Sequence, residues 1–352
     1  MKIPGYRIRR VRGEGAMATV YEAIHEGLDK PVALKVLHEG LVEDPDYLQR
    51  FLREARAAAR LNHPNVVRAY EAGEHGGRYY FSMELVEGED LGERLAREVT
   101  LPEDEALRVC AEVCAALSAA EEHGIVHRDI KPENVLVRPD GRVKLADLGL
   151  AKVRGDGHLT AEGYTLGTVA FFSPEQCRGS SSLDVRSDLF ALGSLLYTLV
   201  SGELPFGRGE NAPLTMQRII EEEAPPIAAA PPTLRVLRRL MAKDASDRPA
   251  TAEEARALLL DALAELRGER RPPSPSRGSG SSGDRPGLAR ARRRRRRYAR
   301  PSSTIAPELL VVLVGLTLLL GLVFAVVARG ASSPAPEPRG RGAAHAAAAE
   351  VR

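Results

Sequence analysis

The chain is short of cysteine, of net charge and of any apolar run at its start, and each shortage narrows what it can be. Three Cys in 352 residues exclude a disulfide-stapled scaffold. Cys110 and Cys114 stand four residues apart in a helical pattern and Cys177 stands alone. No further ligands sit near them at a metal-site spacing, so all three read as reduced packing residues. Residues 1–12 carry positive charge, but no apolar stretch of the length a secretory signal needs follows them, so the body is expected to stay where it is made. No internal repeat is visible. A hydrophobic content of 43% excludes a wholly disordered chain.

The net charge of +2 hides an asymmetry. Residues 269–352 hold 16 Arg against 5 Asp and Glu, which leaves residues 1–268 at −9. An acidic body is thus joined to a basic tail, which argues against a nucleic-acid-binding main domain. The body is long enough for one large core or two lobes.

Patterning divides that body. Residues 6–11, 20–24, 32–37, 66–70 and 79–85 read as strands, with one helix over 47–61 that stops before His63-Pro64. Beyond Gly88 helical periodicity takes over, at 103–123, 189–200 and 234–242, and it ends near Arg267-Gly268. A β-rich lobe (about 1–86) therefore precedes a larger helical lobe (about 87–268). Residues 269–308 form a Pro-, Ser- and Gly-rich and then Arg-rich linker. Residues 309–328 are 20 residues without a charge. As a helix they span about 30 Å, the thickness of a bilayer's hydrocarbon core. They read as a transmembrane helix, because no domain around them could bury them on all sides. Residues 329–352 read as a short disordered tail outside the membrane.

The chemistry is concentrated in His127-Arg128-Asp129-Ile130-Lys131-Pro132-Glu133-Asn134, followed thirteen residues on by Asp147-Leu148-Gly149. Phosphoryl transfer needs a carboxylate to orient a hydroxyl, an ammonium to neutralise the moving phosphate, and hard oxygen ligands for Mg²⁺. Asp129, Lys131, and the pair Asn134 and Asp147 supply those roles.

Residues 6–266 resemble, in order, a eukaryotic-type Ser/Thr protein kinase of the bacterial membrane-anchored branch. The resemblance implies a two-lobe α+β kinase fold, with ATP and Mg²⁺ as cofactors. Gly13-Glu14-Gly15-Ala16-Met17-Ala18-Thr19-Val20 resembles the glycine-rich loop over the ATP phosphates. Val32-Ala33-Leu34-Lys35 resembles the strand whose Lys grips the phosphates, with Glu54 as its pairing carboxylate. Met83-Glu84-Leu85-Val86 resembles the adenine-reading hinge with Met83 as gatekeeper, and Asp90 falls at the ribose-contacting position. Gly167-Thr168 and Ser173-Pro174-Glu175 resemble the end of the activation segment; Asp188, Gly193 and Arg248 match the residues that hold the site rigid. Lys131, two residues after Asp129, implies Ser/Thr rather than Tyr substrates.

Three positions depart from the pattern. Ala18 stands for the third glycine, where a methyl is expected to bear on loop closure. Leu148 stands for Phe, and Phe190 for the family's common Trp in a chain with no Trp at all. No phosphate or Mg²⁺ ligand is missing, which favours an active protein kinase over two alternatives, a catalytically silent nucleotide-binding scaffold and a small-molecule kinase.

Arg128 implies activation by a phosphate on the activation segment, and the resemblance points to Thr160 and then Thr165, with Glu162 where a second Thr is usual. Six consecutive Arg (292–297), flanked by Arg290 and Arg300, invite a nucleic-acid or nuclear-targeting reading. Their place beside the apolar helix favours an anionic lipid surface, with the kinase lobes cytoplasmic and the tail outside. Thr317, Gly321, Ala325 and Ala328 line one face of that helix and offer a close-packing seam for a homodimer.

Overall fold

The structure is a computed structural model and describes residues 1–147, 168–207 and 211–269. The expected membrane helix, the Arg-rich linker, the tail, Leu148, Thr160 and Thr165 lie outside the described residues. Among the described residues no helix is long and apolar enough to cross a membrane.

The N-terminal lobe is a five-stranded antiparallel sheet in the order β1-β2-β3-β5-β4. Its strands are β1 (Tyr6–Glu14), β2 (Ala18–His25), β3 (Lys30–Leu37), β4 (Ala69–His75) and β5 (Arg78–Glu84), with helix α1 (Pro45–Arg60) between β3 and β4. Alternation along β3 decides what faces where. Val32, Leu34 and Val36 join Ile3, Tyr6 and Ala23 in one apolar cluster, while Leu37 joins Ala18, Phe51, Ala55 and Phe81 in another. Ala33, Lys35 and Leu37 thus share the face that meets α1. Asp44 caps α1 through Asp46 N–H, and Pro45 occupies its first turn, where a missing N–H costs nothing.

The C-terminal lobe is mainly helical: α2 (Leu91–Glu98), α3 (Glu103–Glu122), α4 (Pro174–Cys177), α5 (Val185–Ser201), α6 (Ala212–Glu221), α7 (Pro231–Leu240) and α8 (Ala252–Leu266). Its core is one large cluster in which α3 and α5 are buried almost all round. The helical reading of this lobe missed a small sheet, β6 (Glu89–Asp90), β7 (Val135–Val137) and β8 (Val143–Leu145), in the order β6-β7-β8. Strands of two or three residues are too short to leave a periodic signature.

One expected strand is misplaced. Residues 66–68 lie outside any strand; β4 starts at Ala69 and runs to His75, so only the last two residues of the expected strand belong to it. Val66 instead makes a single parallel bridge to Leu145, and Val67 N–H donates to Leu145 O at 2.9 Å. The apolar pair Val66-Val67 is buried because it joins the two lobes rather than because it pairs in the sheet.

The three cysteines are free and buried, and burial pushes their thiols up, that of Cys177 to about 12. They are packing residues and not nucleophiles.

Candidate active site

Lys35 sits on the α1-facing side of β3, flanked in register by Val20 and Phe81. An ammonium there is costly unless paired. Two carboxylates meet it: Glu54 Oε1 at 2.7 Å and Asp147 Oδ1 at 2.8 Å. Glu54 reaches it because Phe51, Glu54 and Ala55 lie on the buried face of α1. Glu54 is only 4% exposed, so it is not a solvated helix charge. Burial alone would push the Lys35 ammonium down, but Asp147 and Glu54 hold it above its ordinary value. A cavity of about 20 Å³, room for about one water, is lined by Glu54, Met83, Leu145 and Asp147.

The segment from His127 to Asn134 is held from behind. Asp188, buried on α5, accepts His127 N–H at 2.8 Å and Arg128 N–H at 2.6 Å. Burial pushes the Asp188 carboxyl up to about 7, while the two donors favour its anion. These bonds hold Arg128 at φ 68°, a left-handed conformation that few side chains adopt unaided. His127 Nε2 lies 3.0 Å from Ala146 O, which can only accept, so the proton sits on Nε2. His127 Nδ1 then accepts Asp129 N–H at 3.3 Å. One buried imidazole therefore ties Asp129 to the residue before Asp147, which is itself at φ 51°.

Asn134 completes the set. Its Nδ2 donates to Asp129 O at 2.7 Å and to Asp129 Oδ2 at 3.1 Å, and its backbone carbonyl accepts Ala146 N–H at 2.9 Å. Lys131 Nζ stands 3.4 Å from Asp129 Oδ2. The Asn134 side-chain amide nitrogen is thus committed to Asp129. Among the described residues no cluster of three His, Cys, Asp or Glu could hold a metal unaided.

The expected hinge and glycine-rich loop border the Lys35 site, Met83 at the cavity and Val20 beside Lys35. Met83 pairs with Ala33, and Glu84 accepts Lys144 Nζ at 2.7 Å, which fixes the hinge to β8. Val86 is buried, and Gly88 follows at φ 145°. A Cβ at Gly88 would stand 2.1 Å from Val137 O, so only glycine fits there. Asp90 is the N-cap of α2: its Oδ1 accepts Glu93 N–H at 2.8 Å, and Glu93 returns a bond to Asp90 N–H at 3.3 Å. Gly13 pairs with Val20, and Gly15 N–H closes the loop tip on Ala18 O at 2.9 Å. Ala18 is 3% exposed, its methyl packed with Leu37, Phe51 and Phe81. The alanine at the third glycine position is thus a core residue.

A family model described as protein kinase domain matches residues 6–260. The chain belongs to the protein kinase family. The kinase domain is 42% identical over 269 residues to the serine/threonine-protein kinase pkn3 of Myxococcus xanthus, covering 72% of this chain and 49% of that one. It is 37% identical over 257 residues to the serine/threonine-protein kinase PrkC of Bacillus subtilis, covering 72% of this chain and 39% of that one. The chain thus spans about half or less of the length of these relatives. It resembles the crystal structure of a mutant PknI kinase domain from Mycobacterium tuberculosis with a TM-score of 0.58 and 29% identity, over 74% of this chain and 97% of that chain.

The kinase domain rests on a second ion pair. Arg248, 1% exposed, binds Glu175 bidentately, Nη1 to Oε1 at 2.6 Å and Nη2 to Oε2 at 3.0 Å. Arg248 also donates to Arg186 O, Ala242 O and Lys243 O. Its guanidinium lies 5.0 Å over the Phe190 ring, which stacks on Phe206. Gln176, next to Glu175, reaches Arg128 O at 3.2 Å and connects this pair to the catalytic loop. Sequence reasoning found Lys35, Glu54, Asp129, Lys131, Asn134 and Asp147, and the structure brings them together. It missed Gly88, Lys144 and Gln176; of these only Gly88, a glycine just after the hinge, left any signal.

Proposed function

We propose that this chain is an ATP-dependent protein serine/threonine kinase anchored in a membrane by residues 309–328. The observation that carries the reading is Lys35 bonded to both Glu54 and Asp147, beside Asp129 and Asn134. In this reading the backbone of the glycine-rich loop and Lys35 bind the ATP phosphates, and the hinge from Met83 to Val86 binds the adenine. Asp129 orients the substrate hydroxyl and accepts its proton, while Lys131 neutralises charge on the transferred phosphoryl group. Asn134 and Asp147 hold Mg²⁺, which when bound supplies charge neutralisation at the phosphates. Substrates are proteins with Ser or Thr, among them the chain itself at Thr160 and then Thr165. Arg290, Arg300 and the six Arg between them lie against anionic lipid, with the lobes on the cytoplasmic side and no nucleic acid as partner. The small residues Thr317, Gly321, Ala325 and Ala328 pair two copies.

The test is the full chain in vesicles containing phosphatidylserine, given labelled ATP and Mg²⁺, followed by peptide mass spectrometry. Phosphate on Ser or Thr, with Thr160 among the sites, is expected. A chain that binds ATP but transfers no phosphate at any protein concentration is a scaffold, and the kinase reading falls.

A further inference from the structure

The glycine-rich loop is held by a residue that none of its motifs contains. His38 follows β3, and its N–H donates to Met17 O at 2.9 Å, on the descending side of the loop tip. Its imidazole Nε2 lies 3.1 Å from Thr19 Oγ1. The contact follows from register: Thr19 pairs with Val36, so His38 is its diagonal neighbour across β2 and β3. Ala18 and Thr19 are adjacent on a strand and point to opposite faces. The Ala18 methyl is sunk in the core with Phe51 and Phe81, and Thr19 is held on the other face by His38. The descending arm of the loop is therefore pinned on both faces. His38 O in turn accepts Leu41 N–H at 3.0 Å, in the turn that leads toward α1 and Glu54.

We propose that His38 is a positioning residue for nucleotide binding, fixing the descending arm of the glycine-rich loop over the phosphates through Met17 O and Thr19 Oγ1. The inference rests on the ATP-binding part of the proposed function. The bond to Met17 uses the backbone and survives substitution; the bond to Thr19 does not. What is lost on removing the imidazole is therefore order in the arm, and the cost falls on nucleotide affinity.

The experiment measures the Kd for ATP by calorimetry, and kcat and KM, on the full chain and its variants. His38→Ala is expected to weaken ATP binding about 3- to 10-fold, the worth of one ordinary hydrogen bond. The loss falls on KM rather than kcat. Thr19→Val reproduces it, the double variant adds nothing to either single change, and His38→Gln restores most of the affinity. An unchanged Kd for ATP in Thr19→Val and His38→Ala overturns the proposal, as does a drop in Tm with no drop in affinity, which would make the contact a mere strand-end tie. Additive losses overturn it too. Because Kd is read without turnover, a wild type that binds ATP but transfers nothing refutes the kinase reading and leaves this test intact.

Discussion

Glu175→Gln isolates the ion pair that supports the catalytic lobe. The substitution keeps shape and removes the charge opposite Arg248, which is 1% exposed and cannot turn to water. Breaking a buried pair by removing one partner costs about 3–5 kcal/mol. Arg248 keeps its bonds to the carbonyls of Arg186, Ala242 and Lys243, which places the expected loss at the lower end, about 3 kcal/mol. For a domain of this size that is a fall in Tm of about 6–12 °C. The pH dependence supplies a second arm. Burial pushes the Glu175 carboxyl up, but Arg248 and Ser187 more than offset it and hold it below its ordinary 4.5. A carboxyl with a depressed folded value contributes stability that is present above 4.5 and is lost as pH falls through the folded value. The gap between wild type and Glu175→Gln should hold at pH 7 and close below about pH 4.5. Circular dichroism melts of both proteins across that range make the test. A gap under about 1 kcal/mol at pH 7, or one that widens on acidification, would refute the reasoning.

Two other substitutions probe backbone geometry. Val99 is 62% exposed at φ 67°, a conformation that costs a β-branched residue about 1–2 kcal/mol, so Val99→Gly should raise Tm by about 2–4 °C in the same melts. Gly88→Ala drives a methyl into Val137 O, so β6 and the hinge must shift; a loss of at least about 2 kcal/mol in urea unfolding and weaker ATP binding by calorimetry are expected.

What the sequence made legible was whatever a local string or a strict period carries. A lone Lys35 in the apolar run from Val32 to Leu37 already asks for a partner, and strand alternation sets it on the face opposite Val32, Leu34 and Val36. The string from His127 to Asn134 and the triplet at Asp147 named the candidate catalytic residues. The remaining contacts depend on chain segments far apart in sequence. Lys144 reaches Glu84, and Gln176 reaches Arg128, only because the lobes and helices pack as they do, and no local pattern announces such bonds. Residues 66–68 misled because an apolar β-branched pair buried between lobes reads like a strand. That Ala18 is a core residue was not legible either, since sequence alone does not say which face of β2 meets α1.

In the proposed function Asp129, held by Asn134 and His127, performs phosphoryl transfer. Rates of phosphoserine and phosphothreonine formation by the full chain and by Lys35→Ala, Asp129→Ala and Asp147→Ala, each checked for a native-like melt, test it most directly. Asp129→Ala should fall about 10²- to 10⁴-fold while still binding ATP, and the other two should lose turnover together with nucleotide or metal affinity. An Asp129→Ala protein that phosphorylates at close to the wild-type rate would contradict the claim.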